Sequence, residues 1–145
     1  MCFLRSGTSP NYTYKPIAGQ TNCTLSRDPN YRETSNKNLG GYKDFFQGIK
    51  SWTASVDVDI PDQADTNANE VNFEDLQDLE DAGTKSTYAF AWVEITNNEP
   101  VVDTTKRMYS GLGLVSCPLN APSGENATTT VTIQGCRALT ATDPT

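Results

Sequence analysis

The chain has 145 residues, a formal net charge of -7 and a hydrophobic content of 36%. This length suffices for one domain with its own core, and no apolar run approaches the ~20 residues that span a bilayer. The absence of histidine removes the commonest general base and the commonest metal ligand. We therefore expect one soluble domain over residues 1–145, with no enzymatic activity, no metal and no cofactor.

The chain begins with a polar segment. Residues 1–13 contain Gly7 and Pro10 and predict an N-terminal arm. They lack the apolar core and cleavage site of a signal peptide, so export by that route is not expected. Residues 17–26 alternate loosely and predict a strand with Cys23 and Leu25 on one face.

A long polar stretch with many glycines and asparagines follows at 27–50. An ordinary turn is much shorter, and loops of this length in compact domains are usually functional or disordered. The aromatic residues of the stretch argue against disorder, because disordered segments are poor in them. Two interpretations stay open: the loop packs only on its own domain, or it packs on something else.

Residues 51–60 give the clearest strand pattern, with strict alternation up to Pro61. One face is apolar and carries Trp52, Ala54, Val56, Val58 and Ile60. The other face is small, hydroxylated and acidic, and carries Ser51, Thr53, Ser55, Asp57 and Asp59. We expect the apolar face in the core and the polar face in water.

Residues 72–82 give the one good helix pattern. Asn72 suits the N-cap, and Gly83 suits the C-terminal cap. Phe73, Leu76 and Leu79 form a narrow apolar stripe at helical spacing. This stripe predicts core packing, with the acidic side chains of the helix in solvent.

Three further strands are predicted at 86–96, 107–117 and 126–139, separated by turn signals at 97–100 and 120–124. One helix among about five strands predicts a mainly β fold, an antiparallel β-sandwich or partial barrel with the helix packed on it.

No set of residues in the sequence forms a catalytic or metal-binding motif. Asp57 and Asp59 would share a strand face, but the surrounding sequence lacks the glycine and terminal glutamate of an EF-hand. The four cysteines include no Cys-x-x-Cys pair, and we expect them to be reduced thiols. The three Asn-x-Ser/Thr sequons, at Asn11, Asn22 and Asn126, are expected by chance in a chain rich in Asn and Thr.

Charge is spread unevenly along the chain. Residues 1–50 carry seven basic and three acidic side chains, whereas residues 51–84 carry ten acidic and no basic ones. The asymmetry indicates self-association between unlike surfaces, a face that repels polyanions, or simply a solvated acidic segment. The acidic balance also disfavours tight nucleic-acid binding, which needs clustered Lys and Arg.

Several short motifs, taken in order, resemble the major tail (tail tube) proteins of long-tailed bacteriophages, and most closely the group of the lactococcal-phage major tail protein. The resemblance covers about residues 17–140. Its motifs are Ile17 to Ser26, Glu33 to Lys37, Gly41 to Phe45, Gly48 to Ser55, Phe73 to Leu79, Tyr109 to Gly111, and Ala121-Pro122 to Leu139.

The resemblance implies a virion tail protein, made in the host cytoplasm, that forms hexameric rings. The rings stack into a tube through which DNA passes without specific binding, and the partners are further copies of the chain and other tail proteins, with no membrane. The polar face at 51–59 would line the lumen. The 27–50 loop would make assembly contacts, with candidates Tyr31, Glu33, Lys37, Tyr42, Phe45 and Phe46.

Two other classes of protein stay open. A ring protein of a bacterial secretion or contractile injection system shares this kind of fold. A surface β-sandwich binding domain would suit the sequons.

Overall fold

The computed structural model describes residues 1–34, 40, 42–60, 69–118 and 127–144. Within these ranges the chain forms strands and one helix. In chain order they are β1 (Cys2–Thr8), β2 (Asn11–Pro16), β3 (Gln20–Asp28), β4 (Tyr31–Thr34), β5 (Asp44–Gln47), β6 (Ser51–Ile60), α1 (Phe73–Ala82), β7 (Ser86–Phe90), β8 (Val93–Thr96), β9 (Glu99–Val102), β10 (Met108–Ser116), β11 (Ala127–Gly135) and β12 (Thr140–Thr142).

Most strands belong to one antiparallel sheet. Its strand order is β2-β1-β7-β10-β11-β6-β3, and β12 pairs with the start of β10. Two hairpins lie outside it, β4 with β5 and β8 with β9. The predicted class, mainly β and antiparallel with one packed helix, is confirmed.

The sheet curls until strands from its two flanks meet. The side-chain amide of Gln20, at the start of β3, accepts a hydrogen bond from the backbone N–H of Cys2 in β1 (2.8 Å) and donates one to the Cys2 carbonyl (3.0 Å). Five strand-to-strand steps separate β1 from β3 in the sheet order. The curled sheet is therefore a partial barrel with a seam between β1 and β3.

The concave side of the sheet holds the main core. Alternate residues of β6, from Trp52 to Val58, are buried there, as predicted. Helix α1 packs on the same core through Leu76, which is fully buried, with Phe73 and Leu79 beside it. In the described part of the chain, no helix is long and apolar enough to cross a bilayer.

Helix α1 begins and ends where the sequence predicts. The Asp75 carboxylate accepts a hydrogen bond from the backbone N–H of the N-cap residue Asn72 (3.2 Å), which satisfies a donor at the helix start. Gly83 follows the last turn with φ 63°, in the left-handed conformation that glycine adopts without steric cost.

A smaller core lies on the opposite side of the sheet. Neighbouring residues of β1 and β7 alternate between the two cores, so Cys2 faces the main core and Phe3 the smaller one. Hairpin β8–β9 covers the smaller core through Val93 and Val102. Both faces of β1 are therefore buried at its start.

Several sequence predictions are corrected by the structure. Residues 1–13 do not form an arm: they form β1 and the start of β2, because Cys2 and Phe3 are buried in two different cores and β1 pairs with both β2 and β7. The 27–50 stretch is not one loop, since β3 extends to Asp28 and β4 pairs with β5. The predicted strand 86–96 is two strands in different sheets. The turn predicted at 120–124 lies outside the described residues.

Candidate functional site

The five polar side chains of β6 lie together on the convex face of the sheet. Ser51, Ser55 and Asp59 are exposed, while Thr53 and Asp57 are half-buried. The structure therefore places all five predicted lumen candidates on one strand face, opposite the buried apolar face.

Neighbouring strands continue this face on both sides of β6. In register with it stand Thr128, Thr130, Thr132 and Gln134 of β11 and Asn22, Thr24, Ser26 and Asp28 of β3. We call the combined surface of β3, β6 and β11 the polar sheet face. It carries the aspartates Asp28, Asp57 and Asp59 but no lysine or arginine.

Hydrogen bonds hold part of this surface in place. The Thr130 hydroxyl donates to the Asp57 carboxylate (2.9 Å), and the Thr21 hydroxyl donates to the Asp57 backbone carbonyl (3.3 Å). Small hydroxyl side chains offer little apolar area, and the carboxylates repel phosphate. The surface is thus suited to face a polyanion without binding it.

Sequence reasoning assigned only β6 to this surface. The polar residues of β3 and β11 showed their alternation in the sequence. Their position beside β6 follows from strand pairing, which alternation alone does not reveal.

The structure brings no catalytic or metal-binding cluster together in the part that it describes. Groups of three or more His, Cys, Asp or Glu side chains placed to hold a metal ion are absent from those residues. Asp57 and Asp59 are two residues apart on one strand. The Asp57 carboxylate accepts a hydrogen bond from the hydroxyl of Thr130.

The second candidate surface is hairpin β4–β5, which forms a two-stranded sheet of its own. Its register pairs Arg32 with Phe46 and Glu33 with Phe45. At its base, the backbone N–H of Gly48 donates to the Asn30 carbonyl (2.9 Å).

Large hydrophobic side chains crowd the surface of this hairpin. Tyr42 is 82% exposed and Ile49 is 76% exposed, and the predicted contact residues Tyr31, Phe45 and Phe46 are exposed as well. Sequence reasoning missed Ile49. An isolated two-stranded hairpin is marginally stable in water, and such an apolar surface is typical of a protein interface.

The charged candidates on the hairpin behave differently. The Glu33 carboxylate lies 3.7 Å from the Lys43 ammonium group, within the same hairpin. Its charge is therefore partly neutralised inside the subunit. Lys37 lies outside the described residues.

Two thiols meet at the seam of the partial barrel. Burial raises the pKa of the Cys2 thiol well above its usual range, and the hydrogen bond with Cys23 raises it further. The same hydrogen bond lowers the pKa of Cys23. Cys117 also lies in the core, where burial and the nearby Glu80 raise its pKa to about 11. All four cysteines are free, and Cys2 and Cys117 fill space in the core as small apolar groups.

Comparison with solved structures identifies the class of fold: it is that of tail tube proteins. A chain from the tail of an empty gene transfer agent particle, refined with C6 symmetry, aligns with a TM-score of 0.66 at 16% identity. The alignment covers 97% of this chain and 94% of that one. At such identity the likeness establishes the fold.

Two further structures share the fold. A chain of the SPP1 tail tube aligns with a TM-score of 0.64 at 9% identity, over 98% of this chain and 75% of that one. A chain of the 6-fold symmetrised anti-feeding prophage baseplate aligns with a TM-score of 0.54 at 9% identity, over 98% and 90%. No protein-family profile and no curated protein sequence matches the chain. The narrower resemblance to the lactococcal-phage group stays a prediction.

Proposed function

We propose that the chain is a structural subunit of a phage tail tube, without enzymatic activity, that assembles into stacked hexameric rings. One observation carries the proposal: 97% of the chain follows the fold of a subunit from an assembled tail that was refined with C6 symmetry. The chain would act as a single domain in the virion tail, after synthesis in the host cytoplasm. Its partners would be copies of itself and other tail proteins, with no membrane.

The polar sheet face would line the lumen of the tube. DNA must slide along this wall, so the wall must not hold phosphate. Three aspartates and many small hydroxyl side chains, with no lysine or arginine, supply that property. DNA would pass without specific binding.

Hairpin β4–β5 would make the assembly contacts. Its aromatic side chains are exposed in the single subunit, and burying them against another copy would remove their apolar area from water. Tyr31, Tyr42, Phe45 and Phe46 would supply most of this area. Glu33 would act mainly by orienting Lys43 within the hairpin.

Negative-stain microscopy of the purified protein tests the proposal. We expect rings with sixfold symmetry, or tubes built from them. A protein that stays monomeric at high concentration and in the presence of other tail components would contradict the proposal.

A charge placed on the polar sheet face tests the lumen assignment. Tubes carrying Ser55→Lys should retain DNA after ejection, since six new cations per ring would contact the phosphates. If Ser55→Lys tubes released DNA as fast as wild-type tubes, the face would not line the lumen.

A second candidate function is favoured by the likeness to the anti-feeding prophage baseplate. In this alternative the chain forms a ring in a contractile injection system instead of a DNA-conducting tube. Genes for a sheath and a contractile apparatus beside this gene, without genes for a DNA-filled head, would favour it.

A further inference from the structure

Strand β6 connects two ends of the molecule that differ in charge. Its first residues lie beside Asp28 of β3, and the Trp52 indole N–H donates to the carbonyl of Arg137 after β11 (2.7 Å). Its last residues lie beside Gly19, whose carbonyl accepts from the backbone N–H of Asp59 (2.9 Å). Ten residues of strand separate these ends by about 30 Å.

The end at Trp52 contains a cavity of about 550 Å³ at the base of hairpin β4–β5. The cations Arg27, Lys50 and Arg137 line it together with aromatic side chains. The Arg27 guanidinium lies 5.0 Å from the centre of the Tyr109 ring, which fixes its position. We call this surface the basic pocket.

One carboxylate also lines the basic pocket. Asp28 accepts a hydrogen bond from the backbone N–H of Asn30 (2.8 Å), so part of its acceptor capacity is used within the turn. Three cations and one carboxylate line the pocket, so it keeps an excess of positive charge. Within the described residues, neither Lys50 nor Arg137 forms an ion pair.

Helix α1 lies at the opposite end of β6. Before the helix, the backbone N–H of Ala18 donates to the Val71 carbonyl (2.9 Å), which places the helix start beside Gly19. Near the helix end, the Glu80 carboxylate accepts from the backbone N–H of Cys117 (3.0 Å). The backbone carbonyl of the next residue, Pro118, accepts a hydrogen bond from the hydroxyl of Thr129. Thr129 of β11 stands opposite Val58 of β6 in the sheet.

The solvent side of α1 carries an acidic stripe. Glu74, Asp78 and Asp81 are exposed and follow one another at i, i+4 and i+7, so they share one helix face. None of the three forms an ion pair within the described residues. Lys85 follows the helix in the chain, and Lys15 lines a cavity with Glu70, the residue before Val71.

The C-terminal part of the acidic stripe, Asp78 and Asp81, does not stabilise its own helix. Like charges four residues apart on a helix cost about 0.2–0.5 kcal/mol per pair, and an acid in the last turn faces the negative end of the helix dipole. Asp78 and Asp81 stand in that half of the helix. A contact with another molecule would explain this acidic stripe, which the stability of the helix does not require.

We propose that the basic pocket of one copy receives the acidic stripe of α1 from the next copy, in a head-to-tail contact between stacked rings. The two surfaces have opposite charge and lie at opposite ends of one strand. A head-to-tail contact continues as a filament when the rotation between successive copies does not close into a ring, which is the case for rings stacked along one axis. This inference rests on the proposed tail tube function and assigns its stacking contact.

Charge reversal at each end separately tests the contact. Lys50→Glu/Arg137→Glu makes both ends acidic, and Asp78→Lys/Asp81→Lys makes both ends basic; all four side chains are exposed. We expect each purified variant to raise the protein concentration needed for tube formation at least about tenfold. A one-to-one mixture of the two variants should form tubes again, with the variants alternating.

Controls separate this contact from misfolding and from net charge. Circular dichroism establishes that each variant is folded, and rescue by mixing cannot occur with unfolded chains. Thr104→Glu/Lys106→Glu adds a similar negative charge on the exposed connection between β9 and β10, and it should form tubes as the wild type does.

The outcomes distinguish the contact from the proposed function. Single variants that form tubes like the wild type would overturn the contact, and so would variants that fail alone and also fail when mixed. In both cases wild-type tubes would leave the proposed function standing. Wild-type protein without rings or tubes would instead overturn the proposed function, and the contact with it.

Discussion

At the scale of single residues, the indole ring of Trp52 lies on a floor of three glycines. A Cβ atom built on Gly135 would stand 2.4 Å from the indole Cε2 atom, and one on Gly111 would stand 2.6 Å from Cζ2. The ring also packs edge-on against Phe90, with ring centroids 5.8 Å apart. The glycines are therefore needed for space.

We predict that Gly135→Ala lowers the free energy of unfolding by about 1–3 kcal/mol, because overpacking a filled core forces the indole or the strand to move. Urea denaturation measures this change. Thr132→Ala, on the exposed side of the same strand, is the control and should change little. Adding Trp52→Phe should reduce the effect of Gly135→Ala, and equal effects in both backgrounds would show that the indole is not the cause.

Tyr88 provides a second residue-scale prediction, on pH. Its side chain is fully buried, and burial raises the pKa of its phenol, with smaller contributions from Cys2 and Cys117. The folded protein therefore keeps this proton at a pH where the unfolded chain loses it. The stability from this group is complete below pH 10 and falls as the pH rises further.

At pH 11 we expect the wild type to have lost about 1.4 kcal/mol through Tyr88 relative to pH 9. Tyr88→Phe should remove this part of the alkaline loss, and denaturant unfolding from pH 8 to 11 measures it. Tyr42→Phe, which removes a hydroxyl from an exposed ring instead of a buried one, is the matched control. Parallel slopes for wild type and Tyr88→Phe would contradict the assignment.

At the scale of elements, hairpin β4–β5 joins the sheet through one narrow base. Asn30 and Gly48 are hydrogen-bonded there, so residues 31–47 can be replaced by two glycines without stretching the chain. We predict a folded monomer that forms no tubes, because the exposed aromatic contacts are gone. Circular dichroism tests whether the shortened chain folds, and negative-stain microscopy tests whether it forms tubes.

A point variant separates the hairpin's side chains from its backbone. Tyr42→Ser/Phe45→Ser should also abolish tubes. Ile95→Ser, at another exposed apolar residue, on hairpin β8–β9, should leave them intact. Normal tubes from the shortened chain, or a shortened chain that does not fold, would contradict the assembly role of hairpin β4–β5.

Elements that bury one face were predictable from the sequence. The apolar residues of β6 recur with the period of a strand, and those of α1 recur with the period of a helix. The bounds predicted for both elements agree with the structure to within about a residue. β1 was not predictable, because Cys2 and Phe3 are neighbours that face different cores, which erases the alternation.

The sequence of β10 predicts the wrong buried face, for a related reason. Its leucines suggest a core face, yet Leu114 is exposed and the buried face is formed by Gly111, Gly113 and Val115. The two glycines leave room for the indole ring of Trp52, which is more than fifty residues away in the sequence. A contact at that distance leaves no local pattern.

At the scale of the whole molecule, the polar sheet face exists only because three strands pair. Asp57 of β6 was identifiable from alternation, but Thr130 and Asn22 reach its sides through pairing with β11 and β3. The candidate surface was thus predictable strand by strand, whereas its extent required the fold. The same holds for the basic pocket, whose cations come from three separate parts of the chain.

Net charge leads to the last prediction, on the salt dependence of assembly. Each chain carries -7, so a hexamer would carry six times that charge, or -42, and rings would repel one another. At about 0.01 M salt the Debye length is about 30 Å, and this repulsion reaches across a whole subunit. Near 0.15 M it falls to about 8 Å, which screens distant charges and leaves ion pairs at a contact.

We therefore expect the yield of tubes to rise as salt is added, to peak near 0.15 M, and to fall towards 1 M, where a Debye length of about 3 Å screens the contact pairs as well. Sedimentation of assembled tubes across this range measures the curve. A yield that does not change with salt would show that charge pairing does not drive assembly. A yield that still rises at 1 M would assign the dominant contribution to the apolar hairpin contacts, since salt screens ion pairs while apolar burial does not depend on charge.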